Sequence, residues 1–352
     1  MSSLSLSFDD ILLEPRFSNI ESRLNVSLET SLGSLKIKSP IMSSPMDCVT
    51  DSFFSQSIYA EGGTGIIHRF MDTDTLIRHI ENMASFKVLN PGFKVCFSVG
   101  IGSSELDRFK LIFDEYGDEL DLVLVDVANG FSSMTRDMVY SIKNYAPNIH
   151  VMAGNVSCNK GFKFLADSGA DSVRVGIGGG SVCKTRIMTG FGLPTLETVI
   201  RCSRFKELNS EYSSIGIVAD GGIRYPSDVV KSLAMGADAV IMGSVFAKTS
   251  ESCSQKIFLD GKRVSVYRGM ASKEFQDDKK GGLKEGTCAE GVQRLIPVTH
   301  SLSEVMQEFL GGLRSGLTYA GCSNIYDLKG SVKYSVVSNS GLKESHPHAK
   351  GV

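Results

Sequence analysis

The stretch Ser172–Thr185, SVRVGIGGGSVCKT, decides how the rest of the chain is read. It opens on a short run rich in valine, passes into a glycine-rich turn and ends beside a cysteine. Such a run suits a strand buried on both faces of a parallel sheet, where no polar alternation is needed. Seven other segments repeat the theme: Pro40–Ser44, Gly65–His68, Val95–Val99, Leu122–Asp126, His150–Asn155, Ile215–Asp220 and Ala239–Gly243. Segments that read as amphipathic helices lie between them, among them Asp51–Ala60, Thr73–Met83, Ser133–Tyr145, Lys160–Ser168 and Pro226–Met235. Strand and helix alternating eight times predict an α/β chain folded as a closed (β/α)8 TIM barrel. An open doubly wound sheet is the competing arrangement. At 352 residues and 42% hydrophobic, the chain suffices for one such domain over residues 1–352.

The strand ends concentrate the polar residues. Strand one runs into SSPMD, strand two into HRF, strand four into DVANG and strand five into GNV. Strand six ends in VGIGGGSVC, strand seven in DGG and strand eight in GS. In a barrel these ends share one face, where active sites sit. Three segments are extra to a minimal barrel: an N-terminal extension (1–38), expected to cover one end, an insertion at about 252–297, and a polar tail, SGLKESHPHAK. The insertion holds Lys279, Lys280, Gly281 and Gly282 and reads either as a mobile active-site flap or as a solvated excursion. A helix over Ser303–Ser315 follows it.

Composition narrows the partners. With 37 basic and 39 acidic side chains, the net charge of −2 gives no general attraction to nucleic acid or anionic membranes. No apolar run approaches the roughly 20 residues that span a bilayer. The start, MSSLSLSFDDILLEP, lacks the pattern of a secretion signal. Eight scattered cysteines form no CxxC pair and read as reduced thiols, which predicts a cytoplasmic chain.

Cys183 is the candidate nucleophile, because a thiolate can add to an electrophilic carbon and leave again. The alternative is a small buried hydrophobe. The loops holding Gly221, Gly222, Gly243 and Ser244 offer backbone donors to a phosphate dianion, or are ordinary tight turns. Asp220 is suited to accept from ribose hydroxyls. Asp126 could serve a second ribose or cap a helix. His68 reads as structural, Arg69 as a partner for Asp72, and Glu290 as a flap residue or a solvated charge. No HExxH, Walker loop or Rossmann GxGxxG is present in the required context.

Together these motifs resemble the family of inosine monophosphate dehydrogenase and guanosine monophosphate reductase, from FDDILLEP (Phe8–Pro15) to ESHPH (Glu344–His348). The resemblance implies a TIM barrel, a homotetramer, and attack of Cys183 on carbon 2 of a purine nucleotide. It assigns Thr185 and Glu290 to proton transfer. It assigns Ser43, Ser181, Asp220, Gly222, Gly243, Ser244, Tyr267, Gly269 and Met270 to the nucleotide, and Asp126, Asn129 and Asn155 to the dinucleotide. It also implies a potassium site formed by the loop at Gly176, Gly178 and Cys183 with a neighbouring subunit's Glu344, Ser345 and His346. SSPMD, YRGM and the tail resemble the dehydrogenase, which uses NAD+. DVANGFS, VMAGNV and GSVCKTRIMTGFG resemble the reductase, which uses NADPH. The flap from Met270 to Gly291 lacks the Arg-Tyr pair with which dehydrogenases activate water, so the expectation favours the reductase. The tandem regulatory insert of many dehydrogenases is absent.

Overall fold

A computed structural model describes residues 4–347. Seven parallel strands, Ile41–Ser43, Val95–Val99, Leu120–Asp126, His150–Val156, Ser172–Val175, Gly216–Asp220 and Ala239–Met242, form one curled sheet. Ile41–Ser43 pairs with Ala239–Met242, so first and last strands are neighbours. The gap between Ile41–Ser43 and Val95–Val99 is filled by residues 64–67. Thr64 exchanges hydrogen bonds with Ile41 and Ser43 at 2.9–3.0 Å, and Ile67 does so with Cys96 and Ser98 at 2.9–3.0 Å. The sheet is therefore closed, and the expected eighth strand is present as two single bridges rather than a full ladder. Two glycines explain how it fits. A Cβ on Gly63 would sit 2.7 Å from Ile58, and one on Gly65 2.5 Å from Ser55.

Alternate strand residues point into the lumen, where Met42, Ile66, Cys96, Leu122, Leu124, Met152, Val218 and Ile241 pack together. The N-terminal extension contributes to this lumen. A hairpin of Thr30–Leu32 and Leu35–Ile37 adds its apolar side chains to that cluster and bonds to Asp238 at the start of the last strand. It seals the amino end of the barrel, as expected of residues 1–38, and leaves the carboxyl end for the site. Further out, Ile11–Leu13 pairs with Tyr334–Val336.

The helices match the sequence pattern closely: Ser52–Ala60, Ser133–Tyr145, Asn159–Asp167 and Pro226–Ala234 fall where periodicity places them. Thr73–Leu89 and Leu302–Ala320 run longer than expected. Ser103–Tyr116 and Thr195–Leu208 complete the ring. The insertion differs most from expectation. It is a folded unit, a three-stranded antiparallel sheet of Lys256–Leu259, Lys262–Arg268 and Gln293–Pro297 with a helix at Lys273–Lys280. The strand Lys262–Arg268 lies in a segment whose charges and glycines dominate its sequence pattern.

Candidate active site

Cys183 is half-buried at the end of the glycine turn. Its Sγ lies 3.2 Å from the Thr185 hydroxyl, and its N–H donates to the Gly180 carbonyl at 3.0 Å. The short helix Thr185–Thr189 starts immediately after and stops at Gly190, which is left-handed. The insertion clasps this loop. Lys184 N–H donates to the Glu290 carbonyl at 2.7 Å, Val292 N–H donates to Val182 at 3.0 Å, and Gly291 bridges Cys183. Gly269 and Gly291 permit that approach, since a Cβ on either would come within 3.1 Å of backbone. Glu290 is thus brought to the cysteine loop through its main chain.

The glycine turn packs on the strand-seven loop, backbone against backbone. Gly176 has φ +129°, and a Cβ there would meet the Asp220 carbonyl at 2.2 Å. Gly221 and Gly222 also have positive φ, and a Cβ on Gly221 would lie 3.0 Å from Gly180 N. Beside them, Gly243 caps the turn Ser244–Ala247, and the Tyr267 hydroxyl lies over Gly243. Tyr267 is buried on the insertion's central strand and meets the Ser181 hydroxyl; burial raises its pKa. Met270 is partly buried against the core. Ser43 is buried and accepts from Thr50 Oγ1 at 2.7 Å. The residues assigned to the nucleotide therefore gather around one mouth.

The carboxylates are joined by a residue that sequence reading missed. Arg174 occupies a lumen position on strand six, where a Cβ on Gly154 would fall 2.7 Å from its own Cβ. Its guanidinium donates to Asp126 and lies 3.7 Å from Asp220. Burial works against the Arg174 charge, but the two carboxylates outweigh it and raise its pKa. Asp220 is pushed up by burial and held back by Arg174 and Asn155. Asn155 donates to the Asp220 carboxylate at 2.8 Å and to the Gly176 carbonyl at 2.6 Å. Arg69 pairs with Asp126 at 3.7 Å rather than with Asp72, whose carboxylate caps the helix Thr73–Leu89. A charge inside an otherwise apolar strand was the available signal for Arg174.

Asn129 is more peripheral. It is exposed and accepts from Phe131 N–H within its own turn. His68 is buried at the end of the strand-two segment, and burial, His79, Lys279 and Arg108 push its pKa down to about 3, so it is neutral. Its neighbour Phe70 meets Phe275 of the insertion's helix edge-on, 4.9 Å between centroids. Arg268 ties the same helix down by binding Asp47 at 2.5 Å and Asp278 at 2.7 Å.

Gly176, Gly178 and Cys183, assigned to potassium, share the glycine turn. The Gly176 carbonyl is engaged by Asn155, and the Arg186 side chain lies against Gly178. Glu344 ends an exposed helix, Asn339–Glu344, followed by Ser345 and His346. His348 of the ESHPH motif lies outside the described residues. No group of three or more His, Cys, Asp or Glu able to hold a metal occurs among the described residues, and no helix among them is long and apolar enough to cross a membrane.

A half-buried thiol on a glycine turn, facing glycine-lined loops and a paired carboxylate at the carboxyl mouth of a (β/α)8 barrel, defines a ligand-transforming barrel with a cysteine at its centre. A family model described as the IMP dehydrogenase / GMP reductase domain matches residues 5–348, and the chain belongs to this family of oxidoreductases. The inosine-5'-monophosphate dehydrogenase of Borreliella burgdorferi is 32% identical, over 98% of this chain and 96% of that protein. That of Cryptosporidium parvum is 32% identical over 97% and 94%. That of Chlorobaculum parvum is 37% identical over 74% of this chain but 54% of its own length, so the chain spans about half of that relative. The expectation that favoured the reductase finds no support in these names, and the dehydrogenase alternative fits them better.

Proposed function

We propose that this chain is an IMP dehydrogenase, converting IMP, NAD+ and water to XMP and NADH. Its relatedness to proteins of that name along almost the whole of both chains carries the reading. The site supplies a matching chemistry. Cys183 Sγ adds to carbon 2 of the purine as a thiolate, and NAD+ when bound accepts the hydride released from that carbon. Water then attacks the Cys183 thioimidate, and the thiol leaves as XMP forms. In this reading Thr185, whose hydroxyl is 3.2 Å from the sulfur, and Glu290, whose main-chain carbonyl accepts from Lys184, move the proton from that water.

Asp220, Gly222, Gly243, Ser244, Ser43, Ser181, Tyr267, Gly269 and Met270 hold the nucleotide in this reading. Asp126, Asn129 and Asn155 hold the dinucleotide. The chain acts as one catalytic domain in a cytoplasmic homotetramer. A second reading, GMP reductase with NADPH, rests on one observation: the segment 270–291 contains neither Arg nor Tyr.

Absorbance at the reduced-nicotinamide band distinguishes the two. A Cys183-dependent rise with IMP and NAD+, yielding XMP, is expected. A fall with GMP and NADPH, with release of ammonia and no activity on IMP, would replace the dehydrogenase by the reductase.

A further inference from the structure

The loop 68–72, which follows the second barrel segment, has little sheet to hold it. That segment joins its neighbours through two single bridges, where the other strands have ladders. The loop nevertheless carries contacts across the mouth. Arg69 reaches Asp126 at 3.7 Å, and Phe70 meets Phe275 of the insertion.

Arg108 supplies the missing attachment. It stands on the helix Ser103–Tyr116, and its side chain is largely buried. Its Nη1 donates to the Arg69 carbonyl at 3.0 Å, and its Nη2 donates to the Met71 carbonyl at 2.7 Å and the Asp72 carbonyl at 3.2 Å. Three main-chain acceptors of one loop thus converge on one guanidinium. Its planar fork of donors suits such a cluster better than the point charge of a lysine. Burial lowers the Arg108 pKa, while Glu105 and Asp72 hold it up. Glu105, 3.7 Å from Arg108 on the same helix, accepts from the Gly100 N–H at 2.5 Å, so the helix also grips the loop after Val95–Val99. Gly100 leaves room for both groups, since a Cβ there would lie 2.9 Å from Arg69 Nη1 and 3.1 Å from Glu105 Cγ.

We propose that Arg108 is a positioning residue for the dinucleotide side of the site: it fixes the main chain of Arg69, whose guanidinium in turn holds the Asp126 carboxylate. The inference rests on the reading that gives Asp126 to the dinucleotide. A carboxylate presents a fixed acceptor to a ligand when its own supporting donors are fixed. Arg174 donates to Asp126 Oδ1, and Arg69 stands beside Oδ2. Arg174 is anchored within a strand, whereas Arg69 depends on its loop. Arg108 therefore secures the weaker of the two supports. The residues given to the nucleotide lie on other loops, so the loss of Arg108 acts on one substrate and spares the other.

The test compares wild type, Arg108→Met, Arg69→Met and the double variant, with Arg108→Lys keeping the charge. KM is measured for nucleotide and dinucleotide separately, with IMP and NAD+ and with GMP and NADPH. Arg108→Met is expected to raise the dinucleotide KM at least about fivefold and leave the nucleotide KM within about twofold, and Arg108→Lys to recover part of the loss. Because the effect runs through Arg69, adding Arg108→Met to Arg69→Met is expected to change the dinucleotide KM by less than about twofold. Equal losses for both substrates, or additive losses in the double variant, would overturn the proposal. Hydrogen exchange over residues 66–72 reads the loop without substrate and is expected to be at least about tenfold faster in Arg108→Met, with the rest of the barrel unchanged. Absence of turnover by wild type with either pair would remove the assigned reaction and the dinucleotide role with it. Exchange at the wild-type rate in Arg108→Met would remove this inference whatever the reaction.

Discussion

Asn155 donates to Asp220 Oδ2 across 2.8 Å, from the end of the fifth barrel strand to the end of the seventh. The bond passes over the intervening sixth strand, and the same amide holds the Gly176 carbonyl where that strand turns into the cysteine loop. One side chain therefore sets three strand ends relative to one another. Asn155→Ala leaves a partly buried carboxylate and a carbonyl without this donor, at a cost of about 1–3 kcal/mol. Nucleotide kcat/KM is expected to fall by at least about tenfold, with a lower melting temperature. Unchanged kinetics would show that the strand ends are held by other contacts.

Cys183→Ser is expected to remove turnover while leaving nucleotide affinity within a few-fold of wild type, because the thiol forms a bond with the purine and is not the anchor for the phosphate or ribose. Isothermal titration with IMP beside the absorbance assay reads both. Loss of binding in step with loss of turnover would make Cys183 a structural residue.

Phe275 joins the insertion's helix to the barrel through Phe70 and the Arg268 guanidinium, which stands 5.3 Å from its ring centre. It is fully buried. Phe275→Ala should weaken that docking by about 3–5 kcal/mol and lower kcat. Limited proteolysis within 281–289 should accelerate, while the barrel's thermal transition moves little. If cleavage keeps its wild-type rate, the helix is held by the Arg268 pairs with Asp47 and Asp278.

His68 and His150 are both buried and neutral. Burial lowers His68 to about 3, and burial lowers His150 to about 4. Each binds a proton more readily in the unfolded chain, near pH 6.5, so stability is present above that value and declines as pH falls toward the folded pKa. Between pH 7 and pH 5 the loss is on the order of 1–2 kcal/mol per histidine. Urea denaturation at the two pH values should show it, and His150→Gln should show less. An equal loss in that variant would assign the acid sensitivity elsewhere.

The barrel was legible because its strands are buried on both faces and read as unbroken apolar runs. The second strand was the weakest of these, and it is also the one held by two bridges alone. The helices Ser103–Tyr116 and Thr195–Leu208 have charges scattered among their apolar positions and carry less obvious periodicity. At the site, Cys183, Asp220 and the glycine loops announced themselves by position at strand ends. Arg174 and Arg108 did not, because each is defined by partners that only the folded chain supplies. For Arg174 these are carboxylates on other strands, and for Arg108 they are backbone carbonyls, which sequence cannot display. The same holds for Arg69, whose pairing with Asp126 crosses the barrel mouth while Asp72 lies three residues away.

The clasp between Lys184 and Glu290 has a consequence for biosynthesis. A chain emerging from the ribosome exposes the cysteine turn, then the last two barrel strands, and only afterwards residues 290–292, which cover that turn. Contacts between segments so distant along the chain form late. The nascent protein therefore passes through a stage in which the Cys183 turn still lacks its main-chain bonds to residues 290–292, and the end of the insertion is what supplies them.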